Sequence, residues 1–234
     1  MSRLVLSRAL LALSINVLLA GGIAAQERVG VSSAVNQQAT GTPPGAAARP
    51  LVIGQEVVFN ERINTAAVGQ TQLLFLDESS MSIGPNADLT IDQFVYDPRT
   101  GSGKLAMTTT RGVLRFVGGK LSKQDDAVTM RTSSATLAVR GGAFLVNQAP
   151  GGAVEAVFIY GRGLTVTGTT GATQIVQRPG FAVSVAGPGA APSAPFPVPP
   201  GQLAQLLAQL DGRRGASGGA RIIPTEQADR KSVV

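Results

Sequence analysis

Cysteine, histidine and tryptophan are all absent from this 234-residue chain. Without cysteine there is neither a disulfide framework nor a thiolate metal site. Without histidine the chain lacks the commonest general base near neutral pH, the commonest zinc ligand and the usual pH switch. Ser-His-Asp triads, Cys-His pairs and HExxH helices are therefore excluded, and acid–base chemistry would fall to Asp, Glu, Lys or Tyr. Aromatic residues are only 4% of the chain. The core must then come from Val, Leu, Ile and Ala with a few Phe, and the stacking platforms that nucleic-acid recognition uses are missing. These absences predict a non-enzymatic protein with no cofactor, no metal site and no nucleic-acid partner.

Apolar residues make up 44% of the chain, enough for a core, and the 29 Gly and 14 Pro favour turns over long helices. The formal charge is +6, part of it from Arg3 and Arg8. The other basic residues are scattered apart from pairs such as Arg213-Arg214 and Arg230-Lys231, the pattern of a solvated surface. Residues 1–25 read as a secretory signal peptide. Arg3 and Arg8 precede the apolar run Ala9–Ala20, and the small residues Gly21 to Ala25 invite cleavage before Gln26. The run is shorter than the about 20 residues that a spanning helix needs. Cleavage would leave a periplasmic or secreted chain with no transmembrane span, and a leader retained as an anchor is the alternative.

Residues 26–50 show little apolar periodicity and are expected to be a disordered linker. From 51 to 186 short alternating apolar segments recur, with turn signals every 8 to 12 residues. Val57 and Phe59, Leu74 and Leu76, Leu89 and Ile91, Leu137 and Val139, and Val183 and Val185 illustrate the spacing. Period-2 patterning buries one face of a strand and wets the other. The prediction is a single all-β domain, either solenoid-like (stacked β-turns) or a sandwich. Residues 187–200 are rich in Pro, Ala and Gly and read as a second linker. Leu203, Leu206, Leu207 and Leu210 then share one face of a short helix over 201–211, and residues 213–234 are expected to be a disordered tail.

Several segments from about Gly54 to Val146 together resemble the FecR-domain family. They are Val52-Ile53-Gly54-Gln55-Glu56, Leu73 through Ser80, Leu89 through Asp97, Thr110 through Lys120, and Met130-Arg131-Thr132 followed by Ala135 through Gly141. The match is to the family's strand-turn "dGS", "G-x-x-R-F-x-x-G" and "T-P-x-A-x-x-x-V-R-G-T" patterns. Glu78 stands where the family has a turn Gly, and Gly142 where it has Thr. The resemblance implies an exported all-β fold. It also implies a part in relaying a signal from an outer-membrane receptor to a sigma factor. Only eight residues precede the apolar run, so the chain reads as a free-standing member without the anti-sigma segment. Residues 150–186 extend the β domain.

The candidate binding residues are Arg111, Arg115, Arg131, Arg140, Gly141 and Gly142. Arg140-Gly141-Gly142 reads as a tight turn that brings a guanidinium to a strand end. Arg111, Arg115 and Arg131 would form a basic stripe if their strands stack in register, and arginine takes carboxylates bidentately. Asp88, Asp92 and Asp97 are too few and too spread for calcium. Gly101-Ser102-Gly103-Lys104 lacks the spacing of a phosphate loop and reads as a hairpin. The expected function is non-covalent recognition of a protein or envelope-glycan partner, in the service of envelope signalling. A self-associating envelope or matrix scaffold is the alternative, and the oligomeric state is left open.

Overall fold

The computed structural model describes residues 27–36 and 38–211. The signal peptide expected over 1–25 and the tail expected over 213–234 lie outside the described residues. The fold is all-β, with one short helix at the C-terminal end. The strands are β1 (Arg28–Asn36), β2 (Ala39–Thr42), β3 (Arg49–Pro50), β4 (Glu56–Val58), β5 (Arg62–Thr65), β6 (Gln70–Phe75), β7 (Ser80–Ile83) and β8 (Asp88–Asp97). They continue with β9 (Ser102–Val117), β10 (Val128–Arg131), β11 (Ala135–Gln148), β12 (Val154–Gly168), β13 (Thr173–Val176), β14 (Phe181–Val185) and β15 (Phe196–Pro197). Helix α1 is Pro200–Ala208.

All fifteen strands join one hydrogen-bonded sheet with two arms. The long strands β9, β11 and β12 belong to both. In the first arm, β8 and β10 flank the early part of β9, while β10 and the late part of β12 flank the early part of β11. The arm then extends through β5 to β2 on one side and to β13 on the other. In the second arm, the late part of β9 lies between β7 and β11, and β12 turns its early part to β14. This arm runs on through β6 and β1 to β4.

Both arms bury their inner side chains in one apolar core. Leu105 and Met107 on β9 face it from the first arm, and Leu114 and Phe116 from the second. The inward residues thus change parity between Met107 and Leu114. Side chains alternate in a strand, so one irregular step must intervene. It lies at Thr110, where the pairing with β8 slips from Leu89–Thr109 to Asp88–Arg111, and Gly112 follows with φ +103° and Ala87 lying where a side chain would start. Leu137 and Val139, then Phe144 and Val146, make the same change on β11. A second cluster sits on the other face of the second arm, where Leu206 and Leu210 of the C-terminal segment cover Val113, Leu145 and Val157.

Two expected linkers are in fact part of the fold. Residues 26–50 hold β1, β2 and β3. β1 inserts between β4 and β6, and its Val29 is fully buried. The segment lacks an apolar signal because backbone pairing carries it. Gly30 approaches so closely that an added Cβ would lie 2.3 Å from the Leu74 carbonyl oxygen. The hairpin of β2 and β3 is anchored by Arg49, whose Nη2 lies 3.0 Å from Oε1 of the fully buried Glu61. Burial raises the Glu61 carboxyl above its ordinary range, against the Val58 N–H and the Arg49 charge. Residues 187–200 likewise dock: the Ser193 N–H donates to Ser184, β15 pairs with β14, and Val198 enters the second cluster.

Candidate binding surface

The outer face of the first arm is set by strand register. One row crosses eight strands as Thr42, Arg62, Thr90, Thr108, Arg131, Thr136, Thr167 and Thr173. None of these side chains is in the core, because their strand neighbours Ile63, Leu89, Met107, Met130, Leu137 and Val166 point inward instead. The neighbouring row is Thr129, Ala138, Thr165 and Ile175, with Ile175 largely exposed. Strands lie about 4.8 Å apart, so the longer row spans about 33 Å.

A groove of about 480 Å³ opens along this second row. Ala138, Thr165 and Ile175 line it, together with Arg140, Arg162 and Gln177. Asp125 and Asp126, on the turn before β10, also line it, and the Arg140 Nε lies 2.6 Å from the Asp125 carboxylate. The sequence bends here because β11 and β12 touch through glycines. A Cβ on Gly142 would lie 1.9 Å from the Tyr160 carbonyl oxygen, and one on Gly161 would lie 2.0 Å from that of Gly141. Gly141 adopts φ +53°, a left-handed value that glycine takes readily. The glycine at 142, where the FecR pattern has Thr, therefore matches a site with no room for a side chain.

The expected basic stripe is divided. Arg131 lies in the long threonine row. Arg115 follows the parity change and pairs across the strands with Leu145 and Ser82, on the second arm. Its Nη2 donates to Ser82 Oγ at 3.3 Å, while its Nε is buried without a partner. Arg111 falls at the irregular step opposite Asp88. Arg140, Gly141 and Gly142 do lie together at the groove.

Reading the sequence missed Arg62, Arg162 and the threonine row. The Arg62 guanidinium donates to both Asp88 oxygens. That contact, more than the weaker pulls of Asn64 and Arg111, holds the Asp88 carboxyl below its ordinary range against the effect of burial. Among the described residues, Arg131 and Arg162 are in no ion pair. Thr165-Val166-Thr167 and Thr108 through Thr110 carry the hydroxyl signal in sequence, but only register lines them up. No group of three or more metal-ligating side chains converges among the described residues. Nor is any helix there long and apolar enough to cross a membrane.

Residues 61–159 match the family model described as FecR protein. The match begins and ends later than the stretch from about 54 to 146 that the sequence motifs suggested. Among solved structures the chain is similar to a candidate anti-sigma factor from Parabacteroides distasonis, solved at 2.50 Å. The identity is 15% and the TM-score 0.48, over 62% of this chain and 63% of that one. A 1.65 Å structure, also of a candidate anti-sigma factor from that organism, gives 13% identity and a TM-score of 0.47, over 62% and 64%. The chain thus spans less than two thirds of either. No curated protein matches it.

Proposed function

We propose, from the premise that residues 61–159 are a FecR domain, that this protein is an exported, non-catalytic recognition module of the cell envelope. The family match carries this reading. The groove beside Arg140 supports it, since it gathers two guanidiniums, two carboxylates, the Thr165 hydroxyl and an exposed Ile175 on the sheet. Sites built on strands hold their geometry better than sites on loops. The module recognises its ligand without covalent chemistry and passes the bound state to a protein partner in envelope signalling.

The test is photo-crosslinking in intact envelopes, with a crosslinker placed in turn at Gln177 beside the groove and at Leu74 on the second arm. Recovery of a specific adduct from at least one position, in the periplasmic or secreted fraction, is the expected result. A protein found only in the cytosol, or one giving no adduct from either position, would overturn the reading.

A further inference from the structure

We infer that the outer face of the first arm binds an acidic polysaccharide, laid across the strands from β13 towards β9. This rests on the recognition reading above and names its ligand class.

The face has the chemistry for such a ligand. Its long row alternates hydroxyls and guanidiniums: Arg131 stands between Thr108 and Thr136, with Thr167 and Thr173 beyond. A threonine hydroxyl both donates and accepts, which suits the mixed hydroxyls of a sugar chain. Thr108 already donates to Asp92 at 2.6 Å, and Thr167 and Thr173 bond each other at 3.1 Å. Thr136 makes no such side-chain bond among the described residues and keeps its capacity free.

Charge complementarity selects an acidic glycan over a neutral one. Asp88 occupies Arg62, and Asp125 occupies Arg140. Arg131 and Arg162 are left, Arg131 in the long row and Arg162 on the lining of the groove beside it. A guanidinium without a counter-ion takes a carboxylate through two parallel hydrogen bonds. Two of them on one face suit a repeating carboxylate. Asp126, which lines the groove, and Asp92, which accepts from Thr108, are opposing charges on this face, and neither pairs with Arg131 or Arg162.

The face is a poor match for a protein partner. Protein interfaces draw their energy from a desolvated cluster of aromatic and apolar anchors. Here, among the described residues, Ile175 alone of the groove's lining is a large apolar side chain that stands exposed.

The experiment is affinity electrophoresis of the full-length protein, purified after export, in gels containing polygalacturonate, dextran or dextran sulfate. Polygalacturonate is expected to retard the protein and neutral dextran to leave it unaffected. Arg131→Ala and Arg162→Ala should each weaken polygalacturonate binding about tenfold, the scale of a lost charged hydrogen bond. The double variant Thr136→Val/Thr167→Val, which keeps side-chain shape, should weaken it about threefold. Arg28→Ala, which removes an equal charge from β1, should change nothing. Melting curves are to be recorded for each variant, and only folded variants are compared.

Three results would overturn the inference: no retardation by polygalacturonate, equal loss in Arg28→Ala, or no loss in the threonine double variant. Stronger retardation by dextran sulfate that Arg28→Ala reduces equally would mark mere charge attraction and also overturn it. A protein adduct at Gln177 would overturn the glycan assignment and leave the recognition reading standing. Polygalacturonate binding with no envelope adduct at either position would do the reverse.

Discussion

The Asp77 carboxylate and the Ser79 hydroxyl form a fully buried pair, with Ser79 Oγ donating to Asp77 Oδ2 at 2.6 Å. The pair ties two distant turns. Asp77 also accepts the Ser79 and Leu121 N–H groups, and Ser79 Oγ accepts the Gly119 N–H. The β6–β7 turn is thereby fastened to the bend that follows β9. An ionised acid tolerates burial when hydrogen bonds of this kind surround it.

Replacing Asp77 by Ala leaves two buried N–H donors without an acceptor. Each such group costs about 1–3 kcal/mol, so Asp77→Ala should lose about 2–5 kcal/mol in urea unfolding. Asp77→Asn, which keeps one carbonyl acceptor, should lose less. Equal stability of all three proteins would show that the clamp does not hold the turns.

Gly142→Thr would restore the residue of the FecR pattern, yet it places a Cβ against the Tyr160 carbonyl. Backbone must move to admit it. Thermal unfolding should fall by the equivalent of about 3 kcal/mol or more. Gly187→Ala, where nothing lies within 4 Å of the new Cβ, should change melting little.

Asp88→Asn tests the Arg62 pair. The Asp88 carboxyl is lowered in the folded protein, chiefly by the Arg62 hydrogen bond. Its stabilisation is therefore full above the ordinary value of 3.8 and fades as pH falls through the depressed value. Arg62 is more than half exposed, so solvent limits the effect to about 1 kcal/mol at pH 7. The difference between wild type and variant should vanish in strong acid, as read by urea unfolding at stepped pH.

Arg49→Ala tests whether the β2–β3 hairpin is held to the core. It removes the cation facing Glu61, whose carboxyl burial already raises above 4.5. Taking the charge away raises it further. A raised carboxyl is comfortable when protonated, so the variant should approach wild-type stability below pH 4.5 and weaken as pH rises through the elevated value. At neutral pH the loss should be about 3 kcal/mol, the scale of an uncompensated buried charge. A pH-independent difference would show that Arg49 acts by packing alone.

Much of the fold was legible in the sequence. Alternation at Leu105 and Met107, Leu137 and Val139, and Val183 and Val185 marks strands because extended backbone sends successive side chains to opposite faces. Four leucines at helical spacing mark α1 for the same kind of reason. β1 was not legible: in Val31-Ser32-Ser33-Ala34 the pattern is weak, and pairing on both sides with β4 and β6 supplies what side chains do not. Residues 187–200 read as a linker because proline and glycine mark no period, and what docks them is one short strand pairing and the burial of Val198. At the binding face, Arg140 with its two glycines was visible as a turn. Arg115 was grouped with Arg131 because sequence does not show the irregular step that turns β9 over.

By itself the sequence determined the chemistry available and the class of fold. No cysteine and no histidine removed whole families of reaction, and a period of two imposed strands. Those are local properties, fixed residue by residue. Tertiary structure alone decided which strands lie side by side, and so which threonines and arginines form one row. Register is a relation between segments far apart in the chain. It is settled when two arms of a sheet bury a common core, and one irregular step at Thr110 is enough to send Arg115 to a different face from Arg131.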